Sequence, residues 1–320
     1  MFAVPGPICG YTKPGNLKDG TSCLALSPRP GTVGRNRTVP ATPRAQGGLA
    51  FTGGTPMEEA KSLLRPCLPH GNYVPHPNSH SDFGKPLEKL PEFLNKHLGT
   101  SVEITLLQFR KYLNSIGVSE TELGGPLDSD LPKARYLVIH DTSYKLGNHI
   151  QTFPDSINTI AYAHNQIRVL KTKKHAHVFI SRVGDSSTGH DFSEPFSATK
   201  YTNVGSSPPA KELKAKFCHV EMIQPRLGDH GSDWKAPDPG FTFEQLDRLA
   251  LVYIAASFRH GEWLIPAYHH NVDMGFDAHD DPQNFDLEDW SKRIDDTVNL
   301  ILRGPGPGDN ANQRDLKNMG

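Results

Sequence analysis

The chain has 320 residues, 36% of them hydrophobic, which is enough for a buried core in one large domain or two ordinary ones. Its 34 Lys and Arg residues nearly balance 35 Asp and Glu residues, which excludes an overall charge that would favour nucleic acid or an anionic membrane surface. No apolar run is long enough for a membrane span, and the first residues lack the basic and apolar regions of a cleavable export signal.

Proline and glycine are concentrated in the N-terminal quarter of the chain. Twelve of the 27 prolines fall in residues 1–80, with runs such as SPRPGTVGRNRTVPATPRAQGG. Proline removes backbone donors and interrupts helices and strands. We therefore predict an irregular arm over residues 1–85, which could wrap the following domain, anchor the protein, serve in delivery or be no more than a flexible extension.

Two stretches with helical apolar spacing follow the arm. These are LEKLPEFLNKHL (87–98) and SVEITLLQFRKYLNSI (101–116). They predict a small helical segment over residues 86–132.

Three short runs rich in β-branched and aromatic residues come next. RYLVIH (135–140), HAHVFIS (175–181) and KFCHVEMI (216–223) are typical of buried strands. Between the first two, DSINTIAYAHNQIRVL (155–170) has helical spacing. This region therefore predicts strands alternating with helical structure.

The clearest helix is FTFEQLDRLALVYIAASFRHG, in which Thr242 and Gln245 form a capping box and Gly261 ends the helix. A second helix, WSKRIDDTVNLILR, precedes GPGPG. Together with the strands, these helices predict an α/β domain over residues 133–304, with a central mixed β-sheet flanked by helices, and a tail over 305–320.

His140 stands where the first predicted strand hands over to a loop, directly before Asp141. Strand ends in α/β proteins hold side chains still and leave them accessible, so they favour chemistry. The competing interpretation is a histidine that only caps a strand.

His269 follows the short apolar run WLIPAY, and Asp281 comes twelve residues later. Two imidazoles and one carboxylate are the protein ligands of a catalytic zinc site that keeps a fourth position open. An acidic surface loop would have the same composition. Other ligand types stand nearby, namely His270, Asp273, Asp277 and Asp280.

Glu221 lies inside the apolar run FCHVEMI. Burial of an unpaired carboxylate is costly and raises its pKa, so this residue is a candidate general base. The alternative is a strand residue paired with Arg226 or Lys216.

Other chemistries find little support. Ser143 and Ser181 lack a G-x-S-x-G turn, Cys218 neighbours His219 along a strand, and phosphate-binding glycine motifs are absent. His177 alternates with apolar residues, which favours a core histidine. The four cysteines form no C-x-x-C pair, although Cys9 and Cys23 could pair in an oxidising compartment.

Taken in order, the segments YLVIHDTS, HAHVFISRVGD, FCHVEMIQ, FTFEQLDRLALVYIAA and AYHH...HDDPQNFDLEDW resemble a known family. The family that they resemble is that of the zinc-dependent N-acetylmuramoyl-L-alanine amidases, in the amidase_2 and peptidoglycan recognition protein superfamily. The resemblance covers about residues 133–303 and implies a peptidoglycan-recognition-protein-like fold.

The resemblance also implies roles for individual residues. His140, His269 and Asp281 match the three ligands of a Zn²⁺ ion, and Glu221 matches the acidic residue that activates water. His279 stands where the family usually has the lysine that stabilises the oxyanion, and a protonated histidine can do the same.

The sequence departs from the family in two places. The second and third ligands are commonly ten residues apart, whereas Asp281 lies twelve residues from His269 and eleven from His270. We favour His269, with His270 as the alternative ligand. The family's AWHAG segment, which normally helps to line the groove for sugar and peptide, is replaced by SATKYTN (197–203). The resemblance therefore does not predict the shape of that groove here.

Three other carboxylates of the last motif are interpreted as surface or helix-start residues, namely Asp280, Asp286 and Asp289.

The function implied by the resemblance is hydrolysis of the amide between N-acetylmuramic acid and L-alanine in peptidoglycan. The partner is then the glycan strand with its stem peptide, with no nucleic acid and no membrane span. Such an enzyme works in the periplasm or cell wall, which it reaches by secretion or delivery. The sequence does not identify an immunity partner or a delivery partner. The alternatives are a non-catalytic peptidoglycan-binding protein and a metal-independent structural protein.

Overall fold

The computed structural model describes residues 50–66, 86–203, 208–229, 234–273 and 280–304. The strands in these ranges are β1 (Tyr136–Asp141), β2 (Tyr144–Lys145), β3 (Val178–Ile180), β4 (Ser186–Thr188), β5 (Phe217–Met222), β6 (Pro225–Arg226) and β7 (Ile265–Tyr268). The helices are α1 (Pro56–Leu63), α2 (Glu92–His97), α3 (Leu106–Ile116), α4 (Ile167–Leu170), α5 (Pro208–Lys214), α6 (Phe243–His260), α7 (His269–Val272) and α8 (Leu287–Arg303).

Five strands form the central sheet in the order β4-β3-β5-β1-β7. The strands β3, β5, β1 and β7 are parallel, and β4 joins the edge antiparallel to β3. Every residue of β1 and β5 is buried, as expected of parallel strands covered on both faces. The α/β class and the mixed sheet predicted from the sequence are confirmed.

Helix α6 begins and ends at the capping residues predicted from the sequence. The Thr242 side chain accepts a hydrogen bond from the Gln245 amide, and the Gln245 side chain accepts one from the Thr242 amide. At the other end, Gly261 adopts φ 93°, a conformation that suits glycine. The helix packs on β3, β5 and α8.

The predicted helix over residues 155–170 is wrong. The structure has two 3-10 turns, Asp155–Asn158 and Ala163–Asn165, before the single turn of α4. The buried Asn165 amide explains the difference, because its Nδ2 donates to the carbonyls of Ile157 (2.7 Å) and Thr159 (2.8 Å). A side chain that bonds nearby carbonyls in this way competes with helix formation.

Part of the segment predicted to be an irregular arm is ordered against the domain. Residues 50–66 contain α1, which begins with a capping box between Thr55 and Glu58 and packs on β7. Glu59 bonds Arg135 at 2.9 Å, which ties α1 to the start of β1. The rest of the predicted arm, the tail 305–320 and the possible Cys9–Cys23 pair lie outside the described residues.

The helices that precede the strands in the chain and the helix that follows them share one hydrophobic core with the central sheet. Leu63 of α1, Leu94 of α2, Phe109 of α3 and Trp290 of α8 belong to the same buried cluster as Val138 of β1. In the described ranges, every helix is too short or too polar to cross a membrane.

Candidate metal centre

The topology of the sheet brings the predicted ligands to one edge. His140 lies near the carboxyl end of β1, and His269 begins α7 directly after the neighbouring strand β7. Asp281 lies between α7 and α8. The three residues are buried, and their ligand atoms all lie within 4.8 Å of one another. The structure therefore brings together a group that can hold a metal ion.

The two imidazoles present the same nitrogen to the same carboxylate oxygen. Asp281 Oδ2 lies 2.9 Å from His269 Nδ1 and 3.6 Å from His140 Nδ1. The ring centroids of the two histidines are 4.3 Å apart. The remaining ring nitrogens point away from Asp281 to partners of their own.

Those outer partners orient the rings. His140 Nε2 lies 3.0 Å from His219 Nδ1, and His269 Nε2 lies 3.0 Å from Asp273 Oδ2. Metal-ligating histidines typically donate their second ring N–H to such a group, which leaves the other nitrogen free for the metal. Two imidazoles and one carboxylate with these partners fit a divalent metal ion such as Zn²⁺.

The charges around His269 also fit a cation. Burial alone would lower the pKa of His269, but Asp281 and Asp273 on either side outweigh burial and raise it to about 10. The pair of carboxylates thus favours a positive charge at this position. A metal ion binding through Nδ1 would displace the proton and supply that charge instead.

Glu221 lies beside the triad on β5, where it pairs in register with His140 of β1. Burial, with a further contribution from Asp281, raises the pKa of Glu221 to about 8. Its suggested partner Arg226 bonds Asp141 instead, at 2.7 Å. Glu221 therefore has the burial expected of a candidate general base.

A buried ion cluster supports the loop that carries Asp281. Arg226 lies 2.7 Å from Asp141 Oδ2 and 3.7 Å from Asp280 Oδ2. Asp141 Oδ2 also accepts the Gln283 amide at 3.0 Å, and the Asp141 amide donates to Asp281 Oδ2 at 3.3 Å. The interpretation of Asp280 as a surface residue is wrong, since Arg226 holds it inside. Asp286 does begin α8, accepting the Asp289 amide.

His270, the alternative ligand, faces away from the triad. Its Nδ1 lies 3.0 Å from the Asp281 carbonyl and its Nε2 lies 2.9 Å from the Arg65 carbonyl. The ring therefore connects the loop of Asp281 to the end of α1. The structure places His269, rather than His270, with His140 and Asp281.

The triad opens into a cleft of about 660 Å³. Glu221 and His175 line it, and residues 196–200 with Asn203 form one side. Most of this side belongs to the SATKYTN segment (197–203). His175 was not singled out from the sequence, and the only local signal was its spacing of two from His177 on the approach to β3.

The other sequence predictions have mixed outcomes. His177 is a core histidine: its Nδ1 accepts the His219 amide at 3.0 Å, its Nε2 lies 3.0 Å from the Glu194 carbonyl, and burial lowers its pKa to about 4. Burial raises the pKa of Cys218 to about 12, which makes it a poor nucleophile. His279 lies outside the described residues, so its role as oxyanion partner stays a prediction.

The fold and the site define an α/β protein with a candidate metal centre at the carboxyl edge of its central sheet. Comparison of the chain with protein-family models, curated proteins and solved structures found no match. The function therefore has to be inferred from the residues of the site.

Proposed function

We propose that this protein is a zinc-dependent N-acetylmuramoyl-L-alanine amidase, with a peptidoglycan-recognition-protein-like fold. The observation that carries the proposal is the buried group of His140, His269 and Asp281 beside Glu221 in a single cleft. The order of motifs along the chain, which resembles that family, supports the same conclusion. The proposed reaction is hydrolysis of the amide between the lactyl group of N-acetylmuramic acid and L-alanine.

His140, His269 and Asp281 would hold the zinc ion. When bound, zinc acts as a Lewis acid on the carbonyl and makes water a better nucleophile near neutral pH. His219 and Asp273 orient the two imidazoles, since each lies 3.0 Å from the ring nitrogen opposite Asp281, and the nitrogens on the Asp281 side would hold the ion.

Glu221 is the proposed general base. It takes a proton from the attacking water as the new C–O bond forms, and returns it to the departing amine as the C–N bond breaks. Burial raises its pKa to about 8 in the metal-free protein, so the group can both accept and release a proton close to this pH. A metal cation in the triad favours the ionised form, which is the form that accepts.

The cleft has the polar walls that a sugar and peptide substrate requires. Ser197, Thr199, Lys200 and Asn203 line it on one side. Hydroxyl and amide groups at such positions can bond the substrate's sugar hydroxyls and peptide groups. The proposed site of action is the periplasm or cell wall, reached by secretion or delivery.

The test is digestion of purified peptidoglycan followed by mass spectrometry. Intact stem peptides with a free L-alanine amine should appear with the wild type, and should be absent with His140→Ala or after chelation. Products cut at other bonds would overturn the bond assignment. Binding to peptidoglycan with no products, by a protein that has bound zinc, would favour the non-catalytic alternative.

A further inference from the structure

Asp273 stands at the junction of the metal centre and the cleft wall. It is fully buried at the end of α7, one helical turn after His269. Its Oδ2 accepts from the Lys200 amide at 2.9 Å and lies 3.0 Å from His269 Nε2, while its Oδ1 accepts from the Tyr201 amide at 2.9 Å. A single side chain thus contacts both a metal ligand and the cleft wall.

The chemistry of these contacts requires a carboxylate. Three N–H groups converge on the two oxygens of Asp273, and an ionised carboxylate offers only acceptors. If the proton of His269 is on Nε2, where it donates to Asp273, then Nδ1 is left with a lone pair toward Asp281. When a metal takes the place of the proton on Nδ1, Asp273 accepts the hydrogen bond from the remaining proton on Nε2 and so holds the ring with Nδ1 toward Asp281.

The segment on the other side of Asp273 is a compact turn of residues 197–203. Thr202 Oγ1 lies 2.8 Å from Thr199 Oγ1 and 3.0 Å from Ser197 Oγ, and the Asn203 amide donates to the Thr199 carbonyl. Because these hydrogen bonds hold the turn together as a unit, the contacts of Lys200 and Tyr201 with Asp273 locate the whole turn.

We propose that Asp273 is a positioning residue that couples the metal centre to the cleft wall. Its carboxylate orients His269 for metal binding and also holds the 197–203 turn in place through the amides of Lys200 and Tyr201. The inference deepens the proposed function, because the wall would be set in place for substrate when the metal is bound. Coupling of this kind is reciprocal, so metal binding stabilises the turn and the ordered turn favours metal binding.

The first experiment uses the wild-type protein and zinc alone. Hydrogen exchange of the Lys200 and Tyr201 amides is measured in the zinc-free and zinc-loaded protein. Zinc should slow this exchange at least about tenfold, because it fixes His269 and through it Asp273. The ring ¹⁵N signals of His269 should show its proton on Nε2 in the loaded protein. Unchanged amide exchange, or a proton on Nδ1, would overturn the proposal.

Two variants separate the metal contact from the integrity of the wall. Asp273→Ala should weaken zinc binding about 10–100-fold, measured by competition with a chelator, and should remove the effect of zinc on the amides. The matched control is Thr199→Val, which loosens the turn without touching His269. It should exchange faster at residues 199–203 and lose less zinc affinity than Asp273→Ala, because the turn is weakened while the contact between Asp273 and His269 is kept. Equal zinc affinity in Asp273→Ala and wild type would overturn the inference.

None of these measurements uses peptidoglycan, so the outcome is separate from that of the proposed function. A protein in which zinc protects the turn but which cleaves no wall amide would retain this inference and lose the amidase proposal. A wild type that cleaves the amide with no effect of zinc on the turn would lose the inference alone.

Discussion

Replacing Glu221 by glutamine keeps the shape of the side chain and removes its charge at the centre of the cleft. Burial and the neighbouring Asp281 raise the pKa of Glu221 from an ordinary value of 4.5 to about 8. In the unfolded chain the carboxyl group therefore loses its proton near pH 4.5, whereas in the folded, metal-free protein it keeps the proton until about pH 8.

The sign of the effect on stability follows from this difference. Between pH 4.5 and 8 the folded state binds more protons than the unfolded state, so the free energy of unfolding falls as the pH rises. The slope is about 1.4 kcal/mol for each pH unit in the middle of this range and smaller near each pKa, so the raised pKa of Glu221 gives a loss of roughly 3 kcal/mol over pH 5 to 8. Glutamine has no such dependence at this position.

The assay is urea denaturation of the wild type and Glu221→Gln in the presence of a chelator, at intervals from pH 5 to pH 8. The difference between their free energies of unfolding should shift by roughly 3 kcal/mol in favour of the variant across this range. His269 titrates in both proteins, so its contribution largely cancels. Parallel pH curves would refute the reasoning, because they would mean that Glu221 ionises in the fold as easily as in water.

The same variant bears on catalysis. Loaded with zinc, Glu221→Gln should hydrolyse the wall amide about 10²–10⁴-fold more slowly, the usual effect of losing a general base. Its zinc content should match that of the wild type, since Glu221 is outside the group of three candidate ligands. Undiminished hydrolysis at full zinc content would exclude Glu221 as the base.

Three further predictions concern the residues around the site. His269→Ala should lose stoichiometric zinc in metal analysis, whereas His270→Ala should keep zinc and melt at a lower temperature, because the His270 ring lies between the main-chain carbonyls of Asp281 and Arg65; the reverse pattern would reassign the ligand. Arg226→Met should cost about 3–5 kcal/mol in urea denaturation at pH 7, because Asp141 loses its buried partner; a loss below about 1 kcal/mol would contradict this. Thr242→Ala should cost about 1 kcal/mol by removing the cap of α6, with Thr242→Ser near wild type as its control; equal losses in both variants would mean that the hydroxyl is not responsible.

The elements with strong local patterns could be predicted from the sequence. Helix α6 carries its own start and stop signals in Thr242 and Gly261, and β1 is a continuous apolar run. Both signals are read within a few residues, so they need no knowledge of the rest of the fold. The helix predicted over 155–170 failed because the buried Asn165 side chain bonds carbonyls of its own segment, which apolar spacing does not reveal.

The candidate ligands could be predicted for a related reason. His140 and His269 each stand at the end of an apolar strand, and parallel neighbouring strands bring such ends to a single edge of the sheet. Asp281, which lies outside any strand, was assigned from the resemblance of the surrounding motif. The grouping of the three residues agrees with that assignment.

The partners that orient these ligands were decided only by the tertiary structure. His219 meets His140 because of the register between β5 and β1, and Arg226 enters the core to pair with Asp141 and Asp280. Asp273 contacts Lys200, which lies 73 positions away in the chain. The sequence by itself determined which residues end strands and begin helices, because those preferences act over a few bonds. Hydrogen bonds between distant segments depend on strand register and on how the loops pack, and these are set only when the whole core assembles.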